Sequence, residues 1–333
     1  MENNAIIKGI AYYHPEHTVD NEYFIEHFKK KGEDISKLLS ATGRKNRYVS
    51  DDADENIITM GYQASIEVLK KTYVKPTQIN LIVFATGTPE YIAPTNAIKI
   101  HDMISAGQKC EVYDLNANCA GMLFAIEQVS RIMRNNKNIK YALIVGSDQL
   151  ARYARYDEAL AYVNFADSAC AVVMENIFGT DRGFVDSEFY TNSSNHNKIL
   201  LPAKGMSNVT RDRNLPTRDK LFQYGQFNFD GAFHSATISI EEMLFRNNLK
   251  KTDIKKYFLS QFGWKNIQKV CEEMEEDINK FKFVGDEFGY TGTTSPMLAY
   301  AKSLEAGELE IGDYVMFWTV GAGTTCPTIL YKY

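Results

Sequence analysis

Two distant stretches of the chain run alike, and that likeness limits the folds open to it. LKKTYVKPTQINLIVFATG (residues 69–87) and NNLKKTDIKKYFLSQFG (residues 247–263) each leave a helical pattern, pass through Lys and Thr, and enter an apolar strand closing on a small turn. A plan used twice points to a duplicated α/β unit, in which equivalent strand ends of the two halves meet at one site. The remaining pattern agrees. Segments 79–87, 109–117, 141–148, 256–263 and 314–323 are dense in β-branched and aromatic residues, end in small ones, and predict buried strands. Helical spacing fills the gaps, with Leu123, Ile126, Val129 and Met133 on one face and Ile238, Met243 and Leu244 on another. The alternation predicts an α/β architecture.

The 333 residues, 44% of them hydrophobic, suffice for a sizeable core in one large or two medium domains. A formal net charge of −5 with no extended basic stripe argues against nucleic acid as a partner. No stretch approaches the ~20 apolar residues of a membrane span, and the start of the chain lacks a secretory pattern, so a cytoplasmic protein is expected. The five cysteines, Cys110, Cys119, Cys170, Cys271 and Cys326, stand far apart without C-x-x-C or zinc spacing. Reduced thiols and no metal are expected.

Cys119, in YDLNANCAGMLFAIEQ (residues 113–128), sits where a strand pattern stops and an amphipathic helix starts. Inert packing is the ordinary fate of a lone cysteine. At a helix start, however, unpaired N–H groups and the helix dipole favour thiolate and predict a lowered thiol pKa. Its neighbours Ala117, Asn118, Ala120 and Gly121 leave room for a substrate. Such a strand-to-helix turn is a recurring way to present a nucleophile.

DLNANCAGMLFAIEQ resembles the nucleophile segment of β-ketoacyl-acyl-carrier-protein synthase III enzymes, and YALIVGSDQLAR (residues 141–152) resembles the strand that follows it there. ATGRKNRYVSDD, FADSACAVV and the terminal ELEIGDYVMFWTVGAGTTCPTILYKY extend the likeness over most of the chain, weakest at about 175–225. The resemblance implies the thiolase fold, two similar α/β halves in a five-layer αβαβα arrangement. Residues 1–175 would carry Cys119, and residues 176–333 would carry Gln261, Tyr290 and the Gly321–Gly323 loop. It also implies acyl transfer to Cys119 from a phosphopantetheine thioester, linked to an acyl-carrier protein or to CoA, in fatty-acid or polyketide-like biosynthesis. No tightly bound cofactor is implied. The assembly would be a homodimer, or a heterodimer with a related synthase subunit.

In that family a histidine and an asparagine donate hydrogen bonds to the enolate oxygen during decarboxylative condensation. This chain departs at both. Gln261 aligns with the histidine, Ser260 if the alignment shifts by one, and Tyr290 takes the place of the asparagine. No histidine follows His234, to which no role is assigned. The resemblance places the oxyanion hole at the backbone N–H groups of Cys119 and Ala322. It makes Arg44, Lys45 and Arg47 candidates for meeting phosphate or an acidic carrier, and Ala93 a candidate end of the acyl pocket. Three functions follow: an acyltransferase with altered or impaired condensation, a non-condensing subunit of a heterodimeric synthase, or a module that binds or hydrolyses thioesters.

Overall fold

The duplication is visible in the strand order. A computed structural model describes residues 3–225 and 230–333. One sheet runs Asn3–Tyr13, Asp167–Phe178, Tyr141–Gln149, Ile79–Ala85, Glu111–Leu115, and the other Gly183–Thr191, Thr325–Lys332, Tyr314–Trp318, Ile254–Leu259. Down either list the first two pairings are antiparallel and the third is parallel. The fifth strand of the first sheet has a remnant in the second, a single parallel bridge between Tyr257 and Phe281. Strand Asp167–Phe178 continues past residue 175, so the turn between the sheets falls a few residues beyond the boundary expected from sequence.

Side-chain alternation along the strands builds the layers. In Ile79–Ala85, Leu81, Val83 and Ala85 point to the molecular centre, while Ile82 and Phe84 point to an outer layer with Ile58, Met60, Ala64 and Val68 of helix Ile57–Thr72. In the second sheet Phe258, Val315, Phe317 and Ile329 face the centre, and Leu259, Met316, Trp318 and Leu330 face the outer helices Asp230–Arg246 and Trp264–Glu273. Two helices fill the centre, Gly121–Asn135 and Ser295–Glu305. Leu123, Ile126, Val129 and Met133 are buried there as their spacing predicts, whereas Ile238 on the outer helix is 43% exposed. Helix, sheet, helix, sheet, helix is the thiolase fold.

The repeated segments occupy equivalent places. Helix Ile57–Thr72 begins with a capping box at Asn56 and ends at Tyr73 in the left-handed region; Asp230–Arg246 is followed by Asn248 with the same hand. Each then makes one 3-10 turn, Pro76–Gln78 or Lys251–Asp253, and enters the strand. Each central helix likewise follows a 3-10 turn, Asn118–Ala120 before one and Gly292–Thr294 before the other. Thr293 is therefore the counterpart of Cys119.

The two central helix starts are pressed together. The Met122 N–H donates to Thr293 Oγ1 at 2.8 Å, and the Thr293 N–H donates to Asp148 Oδ2 at 2.8 Å. Gly292 makes this approach possible: its φ is +61°, and an added Cβ would lie 2.3 Å from Asp148 Oδ2. Gly292→Ala is expected to destabilise the fold by about 1–3 kcal/mol in urea unfolding, through the left-handed backbone and the collision with a fixed carboxylate.

Candidate active site

Cys119 lies on the 3-10 turn between strand Glu111–Leu115 and helix Gly121–Asn135, with Asn118 before it at a φ of +52°. It lines a cavity of about 50 Å³, together with Asp148, Leu150, Phe165, Ile199, Phe222, Tyr224, Phe262, Tyr290, Gly321 and Ala322. The wall is aromatic. Tyr290 meets Phe262 edge-on at 5.1 Å, and Tyr224 stacks parallel to Phe262 at 6.2 Å.

The Ala322 loop reaches Cys119 because residue 321 is glycine; an added Cβ there would fall 2.9 Å from the Ala117 carbonyl. Among the described residues, the backbone N–H groups of Cys119 and Ala322 have no carbonyl partner, and that of Cys119 faces its own thiol. Tyr290 is held by its backbone, its N–H donating to the Asn164 carbonyl at 2.8 Å and its carbonyl accepting from the Ala166 N–H at 2.9 Å. Its hydroxyl lies in the same cavity as the Cys119 thiol and acts to lower that thiol's pKa. Ser260 is fully buried, its Oγ has no hydrogen-bond partner among the described residues, and it lies near that same hydroxyl.

Gln261 points elsewhere. Its amide NH₂ donates to the Leu259 carbonyl at 2.8 Å and the Lys282 carbonyl at 3.1 Å, and its Oε1 accepts from the Val284 N–H at 2.8 Å. The side chain ties the strand end to the neighbouring segment. The one-residue shift, to Ser260, is what the structure brings toward Tyr290.

The cationic candidates also separate. Arg44 is buried, its Nε donating to Asn164 Oδ1 at 2.5 Å and its guanidinium to the Gln261 and Phe262 carbonyls, the latter at 2.9 Å. Arg47 is buried over the Phe24 ring and donates to the Val163 carbonyl at 2.6 Å. Neither reaches the surface to meet a phosphate. Lys45 is exposed and pairs with Asp286 at 3.1 Å. Ala93 is exposed and does not line the Cys119 cavity of its own chain. A wider cavity beyond Phe165, lined by His17, Tyr23, Tyr156, Tyr162 and Arg152, offers a guanidinium that the sequence pattern did not single out. Tyr224 also escaped it, because it stands in the stretch of weakest resemblance.

The electrostatics reverse one expectation. Burial, and then the Asp148 carboxylate, push the Cys119 thiol up to about 12; the Tyr290 hydroxyl and the Cys119 N–H only partly offset this. The thiol is therefore protonated at neutral pH. Asp148 accepts from Thr86 Oγ1 at 3.0 Å, the Gly87 N–H at 2.8 Å, Thr88 Oγ1 at 3.3 Å and the Thr293 N–H, yet desolvation still raises it to about 6.

The sequence profile of 3-oxoacyl-[acyl-carrier-protein] synthase III matches residues 113–193, and that of its C-terminal part matches residues 244–333. The chain belongs to this family. It is 27% identical over 334 residues to the β-ketoacyl-[acyl-carrier-protein] synthase III of Wolbachia pipientis wMel, covering 99% of this chain and 100% of that protein. Among solved structures, the 3-oxoacyl-[acyl-carrier-protein] synthase III of Aquifex aeolicus VF5 superposes with a TM-score of 0.85 at 20% identity, over 99% of this chain and 100% of the other. The priming β-ketosynthase of the R1128 polyketide biosynthetic pathway superposes with a TM-score of 0.87 at 17% identity, over 99% and 96%.

Asp148 generates a pH dependence of defined sign. Its folded-state pKa is raised, so its contribution to stability is full below the unfolded value of about 4 and is lost as pH rises through about 6. Asp148→Asn removes that loss. The unfolding free energy of the variant minus that of the parent is expected to rise by up to about 3 kcal/mol between pH 4 and 7, measured by urea titration; a flat difference would reject the assignment.

Proposed function

We propose that this chain is a thioester acyltransferase of the synthase III type, in which Cys119 carries the acyl group from a phosphopantetheine thioester of an acyl-carrier protein or CoA. The observation that supports this best is the convergence of Cys119 with two backbone amides that have no carbonyl partner among the described residues, its own and that of Ala322, in one aromatic pocket. Sulfur attack forms the new C–S bond while the amides receive the developing oxyanion. The bond to the pantetheine sulfur then breaks, and that sulfur takes up the proton that Cys119 releases. A thiol raised to about 12 gives up its proton in the attack itself rather than beforehand.

The second half-reaction is altered. In decarboxylative condensation the malonyl C–C bond breaks, carbon dioxide leaves, and the electron pair passes through an enolate to the acyl-Cys119 carbonyl. Tyr290 with Ser260 behind it is the donor group facing Cys119 where the family has histidine and asparagine. A phenol donates to an enolate oxygen, but its bulk narrows the malonyl position. Acyl-Cys119 is therefore a persistent species, with carbon–carbon bond formation slow in this chain. The same acyl-enzyme also suits a non-condensing subunit paired with a complete synthase, a reading favoured by the structural use of Gln261. Intact mass after exposure to acetyl- and octanoyl-CoA is expected to show acylation that Cys119→Ser abolishes. Ser260→His with Tyr290→Asn is expected to raise carbon dioxide release from malonyl-CoA about tenfold or more. Gln261→His is expected to leave it unchanged and to lower stability.

The open edge of the five-stranded sheet, Glu111–Leu115, leads directly into Cys119. We propose that a second copy, or a related subunit, pairs there, covering the exposed Tyr91, Ile92 and Ala93 segment. Light scattering is expected to give a dimer mass; a concentration-independent monomer would overturn this.

A further inference from the structure

The segment between residues 192 and 225 folds back over the Cys119 cavity and places Ile199, Phe222 and Tyr224 in its wall. Three sets of contacts fix it. Gln223 and Tyr224 pair antiparallel with Leu200 and Ile199. The Phe222 N–H donates to the Tyr153 carbonyl at 2.9 Å. The Tyr224 N–H donates to Glu158 Oε2 at 3.0 Å, while Glu158 Oε1 accepts from Arg155 at 2.5 Å and Arg155 Nε donates to the Arg218 carbonyl at 2.9 Å. Arg155 is only 6% exposed, so this is a fixed strut rather than a surface ion pair. It sets the Tyr224 ring against Phe262 with an interplanar angle of 4° and against Phe165 at 6.1 Å, in the same cluster as Cys119 and Tyr290.

We propose that Tyr224 is a catalytic residue, the second phenol that donates to the Cys119 sulfur when it carries charge, and that Glu158, held by Arg155, is its positioning residue. The inference rests on the acyl-transfer reading and extends it to a residue outside the family's histidine and asparagine positions. A thiol in an apolar wall beside the Asp148 carboxylate needs donors to become an anion during attack. Tyr290 supplies one from the segment after Phe288, and Tyr224, packed on the same Phe262 and Phe165 rings, supplies the other. The charge couplings among Tyr224, Tyr290 and Cys119 agree with that placement.

The test is the rate of Cys119 alkylation by iodoacetamide as a function of pH, followed by peptide mapping, beside intact-mass detection of acylation by acetyl-CoA. Tyr224→Phe keeps the ring and removes the hydroxyl. It is expected to slow Cys119 alkylation about tenfold or more, the loss of a hydrogen bond to a charged group, and to slow acylation in parallel. Glu158→Ala is expected to do the same, with Glu158→Gln restoring part of the rate, because its one amide oxygen can accept the Tyr224 N–H but the Arg155 ion pair is lost. Alkylation of Tyr224→Phe within twofold of the parent across the profile overturns the role of Tyr224. A Glu158→Ala rate equal to the parent overturns the role of Glu158. A parent chain that never acylates, but whose alkylation slows in Tyr224→Phe, removes the acyl-transfer reading and leaves the donor pair standing. Acylation with an unchanged alkylation profile does the reverse.

Discussion

The contact between the two central helix starts is the constraint on which the rest of the molecule depends. Met122 N–H to Thr293 Oγ1, and Thr293 N–H to Asp148, join both halves at their pseudo-equivalent turns. Asp148 also gathers Thr86, Gly87 and Thr88 from the end of strand Ile79–Ala85, so one buried carboxylate satisfies donors from two segments of opposite halves. Buried N–H groups left unpaired here would each cost about 1–3 kcal/mol. Cys119 is placed one turn away by the same packing, and its environment follows from it.

That environment explains why the helix-start rule did not decide the thiol. A helix N-terminus favours an anion by about 0.3–1 kcal/mol at exposed sites and up to ~2 kcal/mol when partly buried. Raising a thiol from 9.0 to about 12 corresponds to about 4 kcal/mol against the anion. Desolvation and the nearby Asp148 carboxylate outweigh the dipole. In the proposed acyl transfer the thiol would then depend on donors that act as charge develops, the role proposed for the phenols around it.

The buried pair Arg44 and Arg47 gives the pocket its shape rather than its charge. Arg44 binds Asn164 and the carbonyls of Gln261 and Phe262, fixing the turn that carries Ser260 and Phe262 and, through the Asn164 backbone, Tyr290. Burial and the neighbouring Arg47 lower Arg44 to about 9, a cost accepted because three carbonyl-type oxygens replace its water. Gly285 lies against the guanidinium, where an added Cβ would fall 2.0 Å from Arg44 Nη1.

Periodicity and repetition determined the architecture from sequence, because alternation and helical spacing are local properties of the chain. The apolar strands around residues 81–85, 112–115, 142–148 and 315–318 stand where their composition puts them. The place of Cys119 between a strand and a helix was legible for the same reason, since such a junction with small neighbours is written in consecutive residues. What only the tertiary structure decided was direction. Whether Ser260 or Gln261 faces Tyr290 depends on the Lys282 and Val284 backbone across a gap of more than twenty residues. Whether RKNR is a solvated run or two buried guanidiniums depends on Asn164, Val163 and Phe24. Tyr224 enters the site only because Glu158 and Ile199 hold it there. Side-chain burial and hydrogen-bond choice are set by distant partners, and no local pattern contains them.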